Sequence, residues 1–325
     1  MISIKKQPNK DFVILNLSDP QLKNDEWNEG HEKRKILVTT VNRLIEKTKP
    51  DMITISGDLS WAGNDRAYAM LADFINGFGL PWAIVWGNHD NQDGAEYISE
   101  MVARYQEYSH FTYESGDSEL GNGNYVIAIE EDNKPVEALI MMDSHNREPF
   151  VTPEGETIRG WGRVNKAQVA WYGEQIEELK AKGFKDATLI LHIPIYGYHY
   201  ASQAAFVPSI NLKEVTVEQS YTDMCWNEGY KDSIGVQYEA ISSYPAEDGM
   251  FDAILEHGIT RHVIAGHDHV NNWIIEHEGI KFIYALKTGP GCYWNSVLNG
   301  GTVLKINSDG VYSVYHEYVD VNTIK

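Results

Sequence analysis

Between residues 12 and 90 the chain repeats one unit: a short apolar run, a polar turn, then a stretch with helical spacing. Val13-Ile14-Leu15-Asn16-Leu17 runs into Ser18-Asp19-Pro20-Gln21, and Met52-Ile53-Thr54-Ile55-Ser56 into Gly57-Asp58-Leu59-Ser60-Trp61. Pro81-Trp82-Ala83-Ile84-Val85 runs into Trp86-Gly87-Asn88-His89-Asp90. Leu37, Val41, Leu44 and Ile45 keep helical spacing from Glu32 to Thr48, with Pro50 as the stop, and a second helix is predicted from about Arg66 to Asn76. This βαβαβ order requires a parallel sheet with right-handed crossovers, in which ligands gather beyond the carboxyl ends of the strands. Asp19, Asp58 and Asn88 are therefore expected at one rim. A polar turn after a strand is ordinary when met once; three separate strands delivering an oxygen donor to the same edge is not.

Further along, Asn122 to Ile129 and Ala138 to Met142 are expected as strands joined through the polar 130–135 stretch, and Asp143-Ser144-His145-Asn146 and Gly160-Trp161-Gly162 as parts of a long loop. Val169, Tyr172, Ile176 and Leu179 mark an amphipathic helix ended by Gly183. Ala187 to Leu191 is a strand that delivers His192; Met250 to His257 is a short helix; His262 to Ala265 is a strand that delivers Gly266-His267-Asp268-His269. The aromatic, polar region at about 195–247 has no repeat and no low complexity, which suits a lid or substrate-facing insertion. Alternation around Ser308-Asp309-Gly310 predicts a β-hairpin at about 300–320. We expect a single domain over residues 1–325 carrying that insertion and that hairpin.

The formal charge of −20 argues against nucleic acid and anionic membrane as partners, because a phosphate backbone rewards clustered Lys and Arg. An anionic substrate then needs a local positive centre, which bound divalent cations supply. No apolar stretch is long enough for a membrane span and the opening residues lack the core of a secretory signal, so a cytoplasmic location is expected. Cys225 and Cys292 give neither a disulfide framework nor a zinc signature, and are expected as free, buried thiols. Composition specifies no oligomer.

The ordered set is thus Asp19, Asp58, Asn88-His89, His192 and His267-x-His269, each after a strand-like run. An irregular loop with Asp268 turned away lets His267 and His269 face one metal cluster. Mixed carboxylate and imidazole donors suit Mn, Fe or Zn, with Mg as a harder alternative. These stretches, together with Val270-Asn271-Asn272 and Lys287-Thr288-Gly289-Pro290-Gly291, resemble the calcineurin-like metallophosphoesterase superfamily, and within it the purple-acid-phosphatase-like phosphohydrolases. The resemblance implies a four-layer α/β/β/α sandwich of two mixed sheets and a centre of two divalent metal ions. In that centre Asp58 bridges; Asp19 and His269 hold one ion; Asn88, His192 and His267 hold the other. It further implies hydrolysis of a small phosphorylated substrate, a mono- or diester, by a metal-bridging hydroxide, with His89 as the acid toward the leaving oxygen and Asp90 orienting that imidazole.

Two positions depart from the pattern. Gln21 stands where the common motif has histidine; an amide oxygen is a weaker ligand, and Gln21 is kept as a candidate for the first metal. Trp61 stands where purple acid phosphatases carry an iron-binding tyrosine, and indole cannot replace phenolate, so no visible charge-transfer band is expected. Among the other histidines only His199, flanked by Tyr198 and Tyr200, is a candidate for substrate phosphate. A non-catalytic, metal-containing scaffold that binds protein partners is the alternative; Gln21 leans toward it and the presence of His89 against it.

Overall fold

The computed structural model describes residues 1–206 and 226–324. Its first sheet-forming unit matches the sequence pattern. β2 (Phe12–Leu17), β3 (Met52–Ser56) and β4 (Trp82–Val85) are parallel neighbours, connected by α1 (Glu32–Thr48) and α2 (Asp65–Asn76). Two antiparallel strands complete this five-stranded sheet on the β2 side, β13 (Gly300–Asn307) and β14 (Gly310–Tyr318), the expected hairpin. α1 stops because Lys49 takes a left-handed conformation ahead of Pro50, its amide still bonded to the Ile45 carbonyl.

The second sheet has seven strands: β1 (Ile2–Lys6), β5 (Tyr125–Glu131), β6 (Lys134–Met141), β9 (Ala187–Ile190), β10 (Thr260–Ala265), β12 (Ile280–Tyr284) and β11 (Ile274–His277), in that spatial order. β5 and β6 turn through Asp132-Asn133, both at positive φ, as a tight hairpin requires. Helices α4 (Lys166–Lys182), α5 (Gly197–Ala205) and α6 (Met250–His257) accompany this sheet. α4 opens on a capping box of Asn165 and Gln168 and closes on left-handed Gly183.

Period-two alternation assigns the strands' faces. Ile14, Met52, Ala83 and Val85 from one sheet meet Ile127, Leu139, Ile190, Ile264 and Ile283 from the other in a continuous buried layer. On the outer faces, Leu15, Ile53 and Ile84 pack with α1 and α2, while Leu189, Val263 and Phe282 pack with α4, α5 and α6. The result is the four-layer α/β sandwich of two mixed sheets. Toward the carboxyl ends of β2 and β3 the five-stranded sheet becomes polar. Asn16, Thr54 and Ser56 are fully buried and bonded to one another, Thr54 to Asn16 at 2.9 Å and Asn16 to Ser56 at 3.1 Å. That network leads up to the rim carrying the candidate ligands.

Several elements differ from expectation. α3 (Gly94–Tyr105), the β11–β12 hairpin and α5 add to the elements expected from the sequence, and the loop expected around residue 150 contains a two-stranded ribbon, β7 (Arg147–Val151) and β8 (Thr157–Trp161). β5 starts at Tyr125, three residues later than expected, because Asn122 and Asn124 are occupied by side-chain bonds to the neighbouring loops. In the insertion, Phe206 and Trp226 form a β-bridge; residues 207–225, which include Cys225, lie outside the described residues. Cys292 is free but only half-buried. No described helix is long and apolar enough to cross a membrane.

Glu137 on β6 is a buried carboxyl away from the rim, accepting from Thr188 Oγ1 at 2.9 Å and from the Val311 amide at 3.3 Å. Burial, only partly opposed by the Thr188 bond, pushes its pKa up to about 8. The native state therefore keeps a proton that the unfolded chain releases. The contribution to stability is complete below the ordinary glutamate range and is lost as pH rises through about 8. Glu137→Gln removes this dependence: calorimetry should show a melting-temperature advantage over wild type that is small near pH ~5 and grows to a few degrees near pH ~9. A difference independent of pH would contradict the assignment.

Candidate metal centre

Each candidate ligand follows a strand by two to four residues, and the backbone there is unusual. Asp19, Gln21, Asp58 and His267 all lie at positive φ, between 44° and 75°, a region that costs non-glycine residues of order 1 kcal/mol or more each. The loops hold one another in these conformations. Asp19 donates its amide to the Gly57 carbonyl at 3.2 Å, Gln21 to the Asp58 carbonyl at 3.3 Å, and His89 to Asp58 Oδ1 at 2.9 Å. Gly87 and Gly57 permit the close approach. A Cβ on Gly87 would lie 2.1 Å from Asp58 Oδ1, and one on Gly57, at φ +88°, would lie 2.4 Å from His192 Nδ1.

The side chains converge around Asp58. Ligand atoms of Asp19, Asp58 and His269 all lie within 4.8 Å of one another. His192 Nε2 is 3.4 Å from Asp58 Oδ2 and 3.0 Å from Asn88 Oδ1. The His267 ring crosses that of His192 with centroids 5.1 Å apart. All of these side chains are buried.

The tautomers are set from outside the cluster. His192 Nδ1 must carry its proton to donate to the Ser56 carbonyl at 2.9 Å, and His269 Nδ1 to donate to the Tyr293 carbonyl at 2.7 Å. In the neutral ring each Nε2 is then a lone pair facing oxygen acceptors. Asp19 Oδ1 sits 3.2 Å from His269 Nε2 without a hydrogen bond between them, and Gln21 Oε1 and His267 Nε2 are also buried without a donor or acceptor. Each such group left unsatisfied costs about 1–3 kcal/mol, and lone pairs crowded together repel. A cation satisfies them, so the donor set fits divalent metal. The electrostatics have the same sign. Burial alone would lower the pKa of His192, yet the Asp58 and Asp19 carboxylates push it up to about 10. Burial would raise Asp19, but His269, His192 and Lys287 hold it well below the usual carboxylate range.

Gln21 Nε2 donates to Asp58 Oδ2 at 2.5 Å, so its amide nitrogen holds the central carboxylate while its oxygen remains in the cluster. The Trp61 indole N–H donates to the Gln21 carbonyl at 3.3 Å and is not available as a ligand. The Trp61 ring lies on the imidazole of His89, centroids 3.9 Å apart. The partner of His89 is Gln92, whose Nε2 is 2.7 Å from Nδ1.

Asp90 therefore does not pair with His89 as expected. It accepts from the amides of Gly87 (2.8 Å), Leu59 (3.3 Å) and Ser60 (3.3 Å) and from the Tyr68 hydroxyl (2.6 Å), which ties the loop after β4 to the loop after β3. Its pKa is nonetheless raised to about 7, first by burial and then by Asp58. His199, on α5, bonds Ser243 at 2.8 Å and packs on Tyr196; none of its contacts reaches the cluster, because the start of α5 is anchored elsewhere, through Asp248.

Other contributors have faint signals in the sequence. Buried Lys287 donates to the Asp19 carbonyl, and Thr288 exchanges bonds with Ser18, so the loop after β12 clamps the loop after β2. Tyr293 stacks on His269, centroids 4.2 Å apart, and its hydroxyl meets Glu239. Asn271 and Asn272 hold the 236–239 segment of the insertion against the His269 loop. Only the Lys-Thr-Gly and His-Val-Asn-Asn strings pointed to these loops; Gln92, Tyr293 and Glu239 carry no motif.

Such a rim, with carboxylate, amide and imidazole donors brought by strands β2, β3, β4, β9 and β10 of two facing sheets, defines an α/β protein with a candidate metal-binding edge. The calcineurin-like phosphoesterase family model matches residues 12–271, and the chain belongs to that family. It is 24% identical over 302 residues to a Saccharomyces cerevisiae protein named phosphatase DCR2, covering 88% of this chain and 46% of that one. It is 23% identical over 274 residues to an Arabidopsis thaliana protein named probable inactive purple acid phosphatase 28, covering 78% and 62%. The chain thus spans roughly half to two thirds of these relatives' length. Its fold is similar to that of a dimetal phosphatase from Danio rerio, with a TM-score of 0.58, 13% identity and coverage of 95% and 98%.

Asp90→Ala would leave the amides of Gly87, Leu59 and Ser60 and the Tyr68 hydroxyl without their acceptor. A stability loss of about 3 kcal/mol or more is expected in denaturant unfolding. Unchanged stability with a fall in turnover alone would return Asp90 to the role of partner to His89.

Proposed function

We propose that the chain is a binuclear-metal phosphoesterase acting on a small phosphate mono- or diester. The observation that carries this reading is that Asp58 lies within reach of two sets of buried donors, Asp19 and His269 in one and Asn88 and His192 in the other. Asp58 would be shared, Asp19, His269 and the Gln21 oxygen would complete one metal position, and Asn88, His192 and His267 the other. Divalent ions bound there, of the Mn, Fe or Zn type with Mg as an alternative, supply Lewis acidity toward phosphoryl oxygens and a water acidic enough to ionise near neutral pH.

The chain's own groups supply the rest. Gln92 donating to His89 Nδ1 leaves the proton of the neutral ring on Nε2, the form that can give a proton or hydrogen bond to a departing ester oxygen. Trp61 covers one face of that ring and shields it from water. Lys287 and Thr288 keep the Asp19 loop in its left-handed turn. The 195–247 insertion would form one wall of the cleft: its neck is closed by Asp248 accepting from the Tyr196 amide at 2.8 Å, and Glu239 and Ser242 pack against the loop that carries His269.

A non-catalytic scaffold is supported by one feature, Gln21, whose amide nitrogen binds Asp58 directly and whose position carries histidine in the common motif. Turnover separates the two readings. The protein with Mn should hydrolyse p-nitrophenyl phosphate or its bis ester, and His89→Ala should lower kcat by about 100-fold or more while metal content stays the same. Chelation should lower both activity and melting temperature, and Mn should restore both. Activity of His89→Ala equal to wild type, or melting indifferent to chelator, would contradict the proposal.

A further inference from the structure

The β7–β8 ribbon is tied to the rim at its base. Gly162 donates to the Asn146 carbonyl at 2.9 Å, and Ser144, in the same loop, accepts from the amide of Ile193, the residue after His192, at 2.8 Å. A Cβ on Gly162 would lie 2.5 Å from the Ser144 carbonyl, so the two segments cannot be held further apart by a larger residue without shifting this base. Antiparallel pairing sets Arg147 opposite Trp161 and Pro149 opposite Arg159, which places both arginines and the tryptophan on one face. The opposite face is used for anchoring: Glu148 takes a two-point ion pair from Arg163, at 2.7 and 3.0 Å, and Phe150 packs edge-on against Tyr244.

The arginine face turns toward the metal-ligand cluster. Trp161 meets the His267 ring edge-on with centroids 4.2 Å apart, and the Arg147 guanidinium lies over the Trp161 ring at 3.1 Å from its centroid. Arg159 is near enough to bear electrostatically on Arg147. Neither arginine makes a hydrogen bond or ion pair with a carboxylate among the described residues. Both arginines are exposed, on one face of the ribbon, and neither has taken a carboxylate partner among the described residues although this chain carries 47 acidic residues against 27 basic ones. Stacking on indole leaves the guanidinium's in-plane N–H donors free, the arrangement in which arginine takes a phosphate or carboxylate with two bonds.

We propose that this ribbon is an anion-binding arm of the substrate cleft. On this view Arg147 and Arg159 receive a second anionic group, phosphate or carboxylate, of a small phosphate ester whose scissile phosphoryl sits at the metal ligands. The inference rests on the proposed phosphoesterase site for the position of that phosphoryl, and it assigns the substrate class: esters bearing a second anion about one ring's width from the first. Simple monoesters lacking it bind through the cluster alone.

Non-hydrolysable ligands test the arm without relying on turnover. Calorimetric titration of the Mn-loaded protein with phenylphosphonate, 3-carboxyphenylphosphonate and 1,3-phenylenediphosphonate should show the latter two, or one of them, binding at least tenfold tighter than the first. Which of the two gains identifies the second anion as carboxylate or phosphate. Arg147→Gln with Arg159→Gln should erase that preference and leave phenylphosphonate affinity within about twofold, the scale of change expected away from a lost ion pair. Arg147→Lys and Arg159→Gln made singly should each lose part of it, which keeps the test decisive if the double variant folds poorly. Equal affinity of wild type for all three ligands, or a preference that survives the double substitution, would overturn the proposal. Hydrolysis of phenyl phosphate by the same preparations reports on the phosphoesterase reading separately: turnover without the binding preference removes the arm alone, and the preference without turnover removes only the catalytic reading.

Discussion

Everything at the rim depends on the enclosure of Asp58. A carboxylate with almost no solvent access, faced by a second carboxylate, an amide oxygen and imidazole lone pairs, is unfavourable unless positive charge is supplied. The protein supplies part of it by orientation: the His89 amide and the Gln21 side-chain nitrogen both point donors at Asp58. The remainder is left open. Asp19 Oδ1, Gln21 Oε1 and His267 Nε2 are three of the six buried side-chain atoms without a partner among the described residues, and their gathering around one carboxylate fits an ion.

The fold exists in a form that brings those groups together at modest cost. Two mixed sheets pack through an apolar layer, and the parallel strands β2, β3 and β4 of one and β9 and β10 of the other release their loops into one small volume. Left-handed backbone at Asp19, Gln21, Asp58 and His267 then turns the side chains inward. The strain is held by interlocking bonds between loops: Asp90 clamps the β3 and β4 loops, and Lys287 with Thr288 clamps the β2 and β12 loops. Core packing rigidifies the platform, and function follows from the few residues that the platform holds off their relaxed conformations.

Much of this was legible beforehand. Parallel strands 12–17, 52–56 and 82–85 announce themselves by short apolar runs that lead into Asp or Asn, and the ends of α1 and α4 by helical spacing with stop signals at Pro50 and Gly183. The donors that the structure gathers around Asp58 are those the ordered motifs singled out. Legibility failed where partners are tertiary. An aspartate after histidine suggests a relay, but the preceding glycine's amide and Tyr68 on α2 take the carboxylate of Asp90 instead. His199 among tyrosines looked like a phosphate contact and is spent on Ser243. The β7–β8 ribbon eluded pattern analysis because most of its residues are exposed, so no apolar alternation marks it, and its one informative side chain, Trp161, lies against a histidine more than a hundred residues away. α3 did carry a signal, with Ile98, Met101, Val102 and Tyr105 buried at helical spacing.

The central claim is that two cations share one aspartate at this edge. Anomalous diffraction at the manganese edge, from crystals grown with Mn, tests it most directly. The account calls for a pair of peaks flanking Asp58, one against Asp19 and His269 and the other against Asn88, His192 and His267. A map with no peak beside Asp58, or with manganese bound only at surface carboxylates, would contradict it.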